Sequence, residues 1–287
     1  MIKMWKIFSI LLIFTSVGCL NRTVNETIEI PPISVVYHKG AANRVAICIG
    51  LTFVDPASYG GWDGACPGCD VDARSFYNLF VSKGFTSRMM MNSEATWKNV
   101  RHAIMDAVRD LNTNDLVVIS MSGHGGQLPD DNGDEADGID ETICFWDGQV
   151  RDDEILKMIH EFPHGLRLVL INDQCHSEGN FRSMLRVAQR VVSLGFWGAR
   201  TAVPVIERED SWQGQLIQFA GCREDSYSYG ADRGGTWTQS LVGVFNTNLT
   251  WQSWFDNAKS IMPNNQVPQW VEGFQVTDEF RNGPVLQ

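Results

Sequence analysis

The chain has 287 residues, of which 44% are hydrophobic and 20% charged, with a net charge of −11 and a pI of about 4.9. That length is enough for one large α/β domain, or two small ones, with a buried core. A surface this acidic repels phosphate backbones and so excludes nucleic acid as an expected partner. Seven cysteines are too few and too scattered for a disulfide scaffold.

The N-terminus has the pattern of an export signal. Lys3 and Lys6 precede an apolar stretch at 7–17, and small residues then lead to Cys19. A charged region, a short apolar core and small residues before a cleavage point are typical of a secretory signal. The cysteine resembles the lipobox of bacterial lipoproteins, which implies a lipid on Cys19 and an exported protein anchored to the membrane of the cell envelope. An uncleaved anchor and a plain signal peptide are the alternatives.

The remaining chain divides into a short linker and a folded part. Residues 20–40 are polar and contain paired prolines, as expected of a tether. We therefore expect a lipoprotein-type signal peptide at 1–19, a tether at 20–40 and a single folded domain at 41–287.

Strands and helices alternate along the folded part. Runs of β-branched and apolar residues predict strands, and apolar residues at helical spacing predict helices, with Asp70 and Thr96 as N-caps of the first two. In chain order we predict a strand at 44–53, a loop at 54–69, a helix at 70–83, a strand at 85–91 and a helix at 96–111. Strands follow at 115–121, 166–171 and 216–222, with a helix at 151–161 between the first two. A helix at 236–246 and a further amphipathic segment at 251–261 complete the pattern.

This alternation predicts the α/β fold class. Strands that alternate with helices form βαβ units with right-handed crossovers. We expect a three-layer α/β/α sandwich around a mostly parallel central sheet. Ligands in such sheets bind beyond the carboxyl ends of the strands.

Two of the predicted strands are followed by residues that can take part in catalysis. The strand at 115–121 continues into Ser-Gly-His-Gly-Gly, which contains His124, and the strand at 166–171 continues into Asn-Asp-Gln-Cys-His, which contains Cys175. A thiol needs a nearby base to become a thiolate, and backbone donors to hold the oxyanion that develops on its substrate. A hydrogen-bonded loop histidine and a buried thiol are the structural alternatives.

The motifs resemble those of the metacaspases, a family of caspase-like cysteine peptidases. The spacing from His124 to Cys175 is near the roughly 50 residues expected of caspase-type proteases. The resemblance extends from about residue 44 to 271 and implies a caspase-like sandwich fold. Its motifs are Gly-Cys-Asp-Val-Asp-Ala at 68–73, Ser-Gly-His-Gly-Gly at 122–126, Asp-Gly-Ile-Asp-Glu at 137–141, Asp-Asp-Glu-Ile at 152–155, Asp-Gln-Cys-His-Ser at 173–177, Gly-Gly-Thr-Trp-Thr at 234–238 and Gln-Val-Pro-Gln at 266–269.

The resemblance implies a role for each catalytic group. Cys175 would be the nucleophile and His124 the general acid and base. The N–H groups of Gly125 and Cys175 would form the oxyanion hole. Two residues depart from the family pattern: Gln174 replaces a small residue, and Glu178 replaces a glycine and brings a carboxylate near the thiol, where it could raise the thiol pKa.

The resemblance also implies a pocket for the residue that precedes the scissile bond, lined by Cys69, Asp72, Ser122 and Asp173. Two carboxylates in one pocket require a cation, so we expect cleavage after Arg or Lys in peptide and protein substrates. The structural alternatives are a helix first-turn carboxylate for Asp72 and a solvated strand-end carboxylate for Asp173.

The acidic residues between 130 and 153 are candidate ligands for a calcium ion. Residues 130–141 have oxygen ligands at several EF-hand positions, but Glu135 occupies the place where the turn requires glycine, so we reject an EF-hand. The resemblance implies calcium as an activator, not required for the chemistry, with Asp140, Asp152 and Asp153 as ligands. The alternative is a solvated acidic loop.

Two other functions stay open. A catalytically inactive, membrane-tethered binding protein could share the fold, and Glu178 is the feature that favours it. A thiol redox protein could use Cys66 and Cys69, although the chain lacks a thioredoxin-like context, and without a second CxxC motif a metal at these residues is poorly supported.

Overall fold

The folded part of the computed structural model of the protein is a unit of strands and helices within residues 33–287. Cys19 and Cys175 lie outside the described residues, as do His176 and Glu178. None of the helices that are described is long and apolar enough to cross a membrane. The structure describes residues 36–133, 138–174, 212–222 and 230–285.

The centre of the unit is a seven-stranded sheet. Its five inner strands are parallel, and an antiparallel strand closes each edge. Its strands, in chain order, are β1 (Val36–His38), β2 (Ala41–Gly50), β3 (Phe85–Met91), β4 (Leu116–Ser122), β8 (Arg167–Asp173), β9 (Gln215–Ala220) and β12 (Gln269–Phe274), and their spatial order is β1-β3-β2-β4-β8-β9-β12.

Helices cover both faces of this sheet. The helices are α1 (Cys69–Ser82), α2 (Trp97–Val108), α3 (Asp152–His160), α4 (Thr236–Val244), α5 (Trp251–Ser260) and α6 (Asp278–Asn282), and a 3-10 turn forms at Asn92–Glu94. Helices α2 and α3 pack on one face, and α1, α4 and α5 pack on the other.

Side-chain alternation along the strands builds two separate cores. In β2, Val45, Ile47 and Ile49 point to the α2 and α3 side, whereas Ala46 and Cys48 point to the α1 side. Successive side chains of a strand face opposite ways, so both faces must be apolar when both are covered. Burial of each valine or isoleucine side chain stabilises the fold by roughly 1.5–3 kcal/mol. The predicted three-layer α/β/α sandwich is confirmed.

Most predicted elements lie where the sequence placed them. The strand predicted at 85–91 is β3, and the Thr96 side chain accepts a hydrogen bond from the Asn99 N–H as the N-cap of α2. The prediction that Asp70 caps α1 is wrong. Gly68, with a φ of 94°, is the N-cap, because a glycine tolerates this left-handed conformation.

Short strands between β4 and α3, and near α4, were not predicted. An antiparallel sheet contains β5 (Gly125–Pro129), β6 (Ile139–Phe145) and β7 (Gly148–Arg151), and a small hairpin contains β10 (Gly230–Ala231) and β11 (Gly234–Gly235). In addition, β1 pairs with β3 from within the predicted tether, so the folded domain begins at or before residue 36.

Candidate active site

The registers of the parallel strands align three chain positions at the carboxyl edge of the sheet. Gly50 at the end of β2 lies opposite Ser122 at the end of β4, and Ser122 lies opposite Asp173 at the end of β8. This edge is where open α/β sheets bind ligands. The two predicted catalytic segments therefore leave the sheet side by side, His124 two residues beyond Ser122 and Cys175 two residues beyond Asp173.

Asp72 reaches this edge from the first turn of α1. Its side chain is buried, and Oδ2 accepts a hydrogen bond of 2.7 Å from the Ser122 hydroxyl. The Gly235 N–H lies 2.9 Å from both carboxylate oxygens. Donors from β4 and from the end of β11 thus fix a carboxylate that α1 contributes.

Asp173 is bound by the first turn of α4. Its Oδ2 accepts hydrogen bonds of 3.0 Å from both the N–H and the hydroxyl of Thr238. The N-terminus of a helix stabilises a carboxylate through its unpaired N–H groups and its dipole. Asp173 is therefore a structural acceptor as well as a predicted pocket residue.

Gly235 lies between the two carboxylates. A Cβ at this position would overlap Asp173 Oδ2 and would come within 3.0 Å of Asp72 Oδ2. The chain can pass between the two acidic side chains only because this residue has no side chain. Cys69, Asp72, Ser122 and Asp173 were predicted to line one pocket. The structure brings the last three together at the carboxyl edge of the sheet, where Ser122 is bonded to Asp72 and Asp173 is bonded to Thr238.

The proximity of two buried acids changes their protonation. Burial, and secondarily the charge of Asp173, raises the pKa of Asp72 to about 7, although hydrogen bonds from Ser122 and Gly235 oppose the shift. Like charges in a low-dielectric site cannot both ionise easily. Near pH 7 the Asp72 carboxyl is therefore only partly ionised.

Cys69 contributes no free thiol to this cluster. It is the first residue of α1 and is disulfide-bonded to Cys66, with the Cα atoms 6.0 Å apart. The bond closes the loop between β2 and α1 three residues before Asp72. The CxxC pair is thus a local disulfide in this structure.

His124 is anchored through its backbone. Its carbonyl accepts hydrogen bonds from the Cys144 N–H at 3.0 Å and from the Gln174 side chain at 3.4 Å. Gly125, the predicted oxyanion donor, is half-buried and begins β5 opposite Ile143. Within the described part of the chain, the His124 Nε2 atom is buried and has no hydrogen-bond partner.

The contacts of Gln174 show what the longer side chain does at one of the two positions that depart from the family pattern. Its side chain is fully buried, and its amide bonds the His124 carbonyl. The longer residue therefore links the two catalytic segments immediately before Cys175. Since Cys175 lies outside the described residues, its contact with His124 stays a prediction.

One of the three predicted calcium ligands, Asp140, is paired with an arginine. The Arg151 Nε donates to Asp140 Oδ2 at 2.5 Å, and the Asp140 side chain is only 2% exposed. Burial raises the pKa of Asp140, the Arg151 guanidinium lowers it, and the charges of Asp130 and Asp153 raise it. Asp152 is buried as the first residue of α3.

These residues do not fit a calcium ion as they stand. Calcium takes six to eight oxygen ligands. The Oδ2 atom of Asp140 already accepts a hydrogen bond from the Arg151 guanidinium. Among the described residues, no group of three or more His, Cys, Asp or Glu side chains could hold a metal ion. Calcium activation stays a prediction.

Two residues of the site had no predicted role. Gly235 belongs to the quoted Gly-Gly-Thr motif, which was a usable signal for a turn at the pocket. Trp62 lies in the loop after β2, and its ring centroid is 4.8 Å from that of His124. Nothing in the sequence distinguishes it from the other nine tryptophans.

Sequence and structure comparisons agree with this geometry. The caspase domain family matches residues 43–278. Metacaspase-4 of Arabidopsis thaliana is 32% identical over 147 residues, which cover 47% of this chain and 34% of the plant protein. Metacaspase-1 of Schizosaccharomyces pombe is 34% identical over 158 residues, which cover 50% of this chain and 36% of the yeast protein. The chain thus spans about a third of the length of these curated relatives.

A solved structure extends the likeness to the whole domain. The crystal structure of a protein from Geobacter sulfurreducens has a TM-score of 0.68 and 26% identity to this chain, and the match covers 85% of this chain and 98% of that one. The caspase-like fold predicted from the motifs is therefore confirmed. Because the family match includes most of the residues, from β2 to α6, the chain belongs to the caspase domain family, among the metacaspase and caspase-like cysteine peptidases.

Proposed function

We propose that the protein is a cysteine endopeptidase that cleaves peptide bonds after Arg or Lys, with Cys175 as nucleophile and His124 as general acid and base. The observation that carries the proposal is the buried cluster of Asp72, Ser122 and Asp173 at the carboxyl edge of the sheet. In sequence, Ser122 lies two residues before His124, and Asp173 lies two residues before Cys175. Two acids gathered beside a nucleophile select a basic substrate side chain.

The reaction follows from the two proposed groups. His124 takes the thiol proton of Cys175, and the thiolate attacks the carbonyl carbon of the scissile bond. The Gly125 and Cys175 N–H groups donate to the oxyanion that forms. His124 then protonates the leaving amine, and water, deprotonated by His124, hydrolyses the acyl-enzyme and regenerates the thiol.

Recognition of the substrate uses charge already present in the cluster. The oxygens of Asp72 and Asp173 accept hydrogen bonds from the chain, but each carboxylate oxygen has two acceptor sites. An arginine can add two parallel N–H bonds to such a pair, whereas a lysine adds one compact charge. We therefore expect Arg to be preferred over Lys.

A peptide assay tests the proposal directly. Fluorogenic peptides ending in Arg, Lys or Asp are compared on the wild type, Cys175→Ala and His124→Ala. We expect hydrolysis after Arg and Lys that both variants abolish. Hydrolysis after Asp would contradict the pocket assignment. Failure of an arginyl chloromethyl ketone to label Cys175 would favour the inactive binding protein instead.

Calcium belongs to the proposal only as an activator. For calcium to use Asp140 as a ligand, Arg151 must first release it. We therefore propose that any calcium effect includes movement of this guanidinium, and that the chemistry itself needs no metal.

We also propose that the protein is exported and anchored through a lipid on Cys19. The pattern of the first 19 residues supports this, and so does the Cys66–Cys69 disulfide, because such bonds persist in oxidising compartments. Expression in a bacterial host with a radioactive fatty acid should label the wild type but not Cys19→Ala. Equal labelling of both would reject the anchor.

A further inference from the structure

Trp62 combines an unusual exposure with contact to the proposed general base. Its side chain is 45% exposed, whereas Trp237, Trp251 and Trp254 are fully buried. The indole and the His124 imidazole have ring centroids 4.8 Å apart, with a tilt of 56° between planes. The indole therefore presents an apolar surface to solvent directly beside His124.

The loop that carries Trp62 is held on several sides. The Tyr59 hydroxyl donates to the Phe145 carbonyl at 2.6 Å, and the Tyr59 ring packs edge-on against Trp62 at 5.7 Å. The Val54 N–H donates a hydrogen bond of 2.8 Å to the Asp63 carbonyl. The indole is therefore presented in a fixed place, and little conformational entropy is lost when something binds to it.

The His124 ring depends on such a contact. Backbone bonds fix the position of residue 124, but its Nε2 atom has no hydrogen-bond partner among the described residues. The Trp62 ring is the aromatic surface packed on this imidazole.

The chemistry of the leaving group indicates which part of the substrate meets the exposed indole. The general acid must come within about 3 Å of the amine nitrogen that departs. That nitrogen belongs to the residue immediately after the scissile bond. The side chain of this residue therefore passes closest to His124 and to the neighbouring Trp62.

We propose that Trp62 is a positioning residue for His124 and that its exposed face binds an apolar side chain immediately after the scissile bond. This inference rests on the proposed function. It assigns a preference on the leaving side of the bond, away from the acidic pair that selects the basic residue.

Internally quenched peptides test the binding part. The peptides share one sequence up to Arg and continue with Leu, Phe, Gly or Glu. In the wild type we expect faster hydrolysis before Leu and Phe. Trp62→Ala should lower kcat/KM for these two by about tenfold relative to the Gly peptide, a normal value for a lost apolar contact, and Trp62→Phe should retain most of the preference. Tyr37→Ala, which removes an exposed aromatic from β1, is the matched control and should change nothing.

A second measurement tests the positioning part without any peptide. The rate at which iodoacetamide alkylates Cys175, located by mass spectrometry, is followed from pH 5 to 9. Trp62→Ala should displace this pH profile toward that of His124→Ala, and Trp62→Phe should restore it.

The outcomes separate this inference from the function on which it rests. An equal fall for all four peptides in Trp62→Ala, or none, would overturn the apolar subsite. A pH profile that superposes on the wild type would overturn the positioning role. If the wild type itself hydrolyses no Arg peptide, the proposed function fails, which is a different result from an active wild type whose Trp62 variants behave like it.

Discussion

Replacing Asp72 with asparagine should remove a pH dependence that the buried acidic pair imposes on the binding of basic side chains. Burial and the neighbouring Asp173 charge raise the pKa of Asp72 to about 7. A bound guanidinium favours the ionised form and lowers that pKa again. Binding of a basic side chain therefore releases a proton when the pH lies below 7.

The raised pKa of Asp72 sets how steeply the affinity for a cation should change with pH. At one pH unit below 7 about one tenth of the Asp72 carboxyls are ionised, and at two units about one hundredth, so the affinity for a cation should fall about tenfold per unit. A guanidinium stays charged across this range. The effect therefore comes from the protein and not from the ligand.

The assay is competitive inhibition by a small amidine or guanidine, such as benzamidine or agmatine, at pH 5 to 8. The inhibition constant compares rates at one pH, so ionisation of the thiol largely cancels. The wild type should bind more weakly as the pH falls, whereas Asp72→Asn should bind weakly at every pH. Asp70→Asn, in the same turn of α1 but half-exposed, is the matched control and should behave as the wild type. An inhibition constant that is flat with pH in the wild type would refute the reasoning.

Stability should show the same linkage with a definite sign. The folded-state pKa of Asp72 is above its ordinary value of 3.8, so the folded protein binds the proton more tightly than the unfolded chain. The free energy of unfolding should therefore fall as the pH rises from about 4 to 7. In Asp72→Asn this fall should be smaller, which chemical denaturation at several pH values measures.

Three further predictions test the surrounding structure. Gly235→Ala should lower kcat/KM at least tenfold and destabilise the fold by about 1–3 kcal/mol through overpacking, whereas Gly243→Ala, which has open space at the same helix, should be neutral or stabilising in thermal denaturation. Arg151→Gln should bind calcium more tightly than the wild type in calorimetry, and equal binding would show that the Arg151–Asp140 pair does not compete with the metal. Cys66→Ser should lower the free energy of unfolding by about 2 kcal/mol, as expected of so short a disulfide loop, and dithiothreitol should lower the melting temperature of the wild type alone.

The five parallel strands of the main sheet were predictable because they are buried on both faces, whereas the edge strands β1 and β12 were not predicted. The run at β4 is apolar at nearly every position and fully buried, which is the pattern of a central parallel strand. Once parallel order is assumed, the carboxyl ends of β4 and β8 must lie together, and so must Ser122 and Asp173. Their juxtaposition was therefore accessible from the sequence, with help from the family motifs.

Other features were not predictable from local pattern. The strands β5 and β7 are short and half-exposed, so their periodicity is weak beside the acidic loop that joins β5 to β6. The start of α1 depends on the backbone angle of Gly68, and local propensity instead favours an acidic cap at Asp70. The contact of Trp62 with His124 joins two loops that are distant in sequence, and only tertiary structure reveals it.

The acidic pair also connects specificity to stability in this fold. Two buried carboxylates cost free energy when they are ionised without a counter-charge. The chain compensates with neutral donors from Ser122, Gly235 and Thr238. Under the proposed specificity, a cation from the substrate would add a counter-charge that hydroxyl and N–H donors do not carry. We therefore expect a basic side chain to be the preferred ligand of this cluster, whereas Asp140 already has its counter-charge from Arg151.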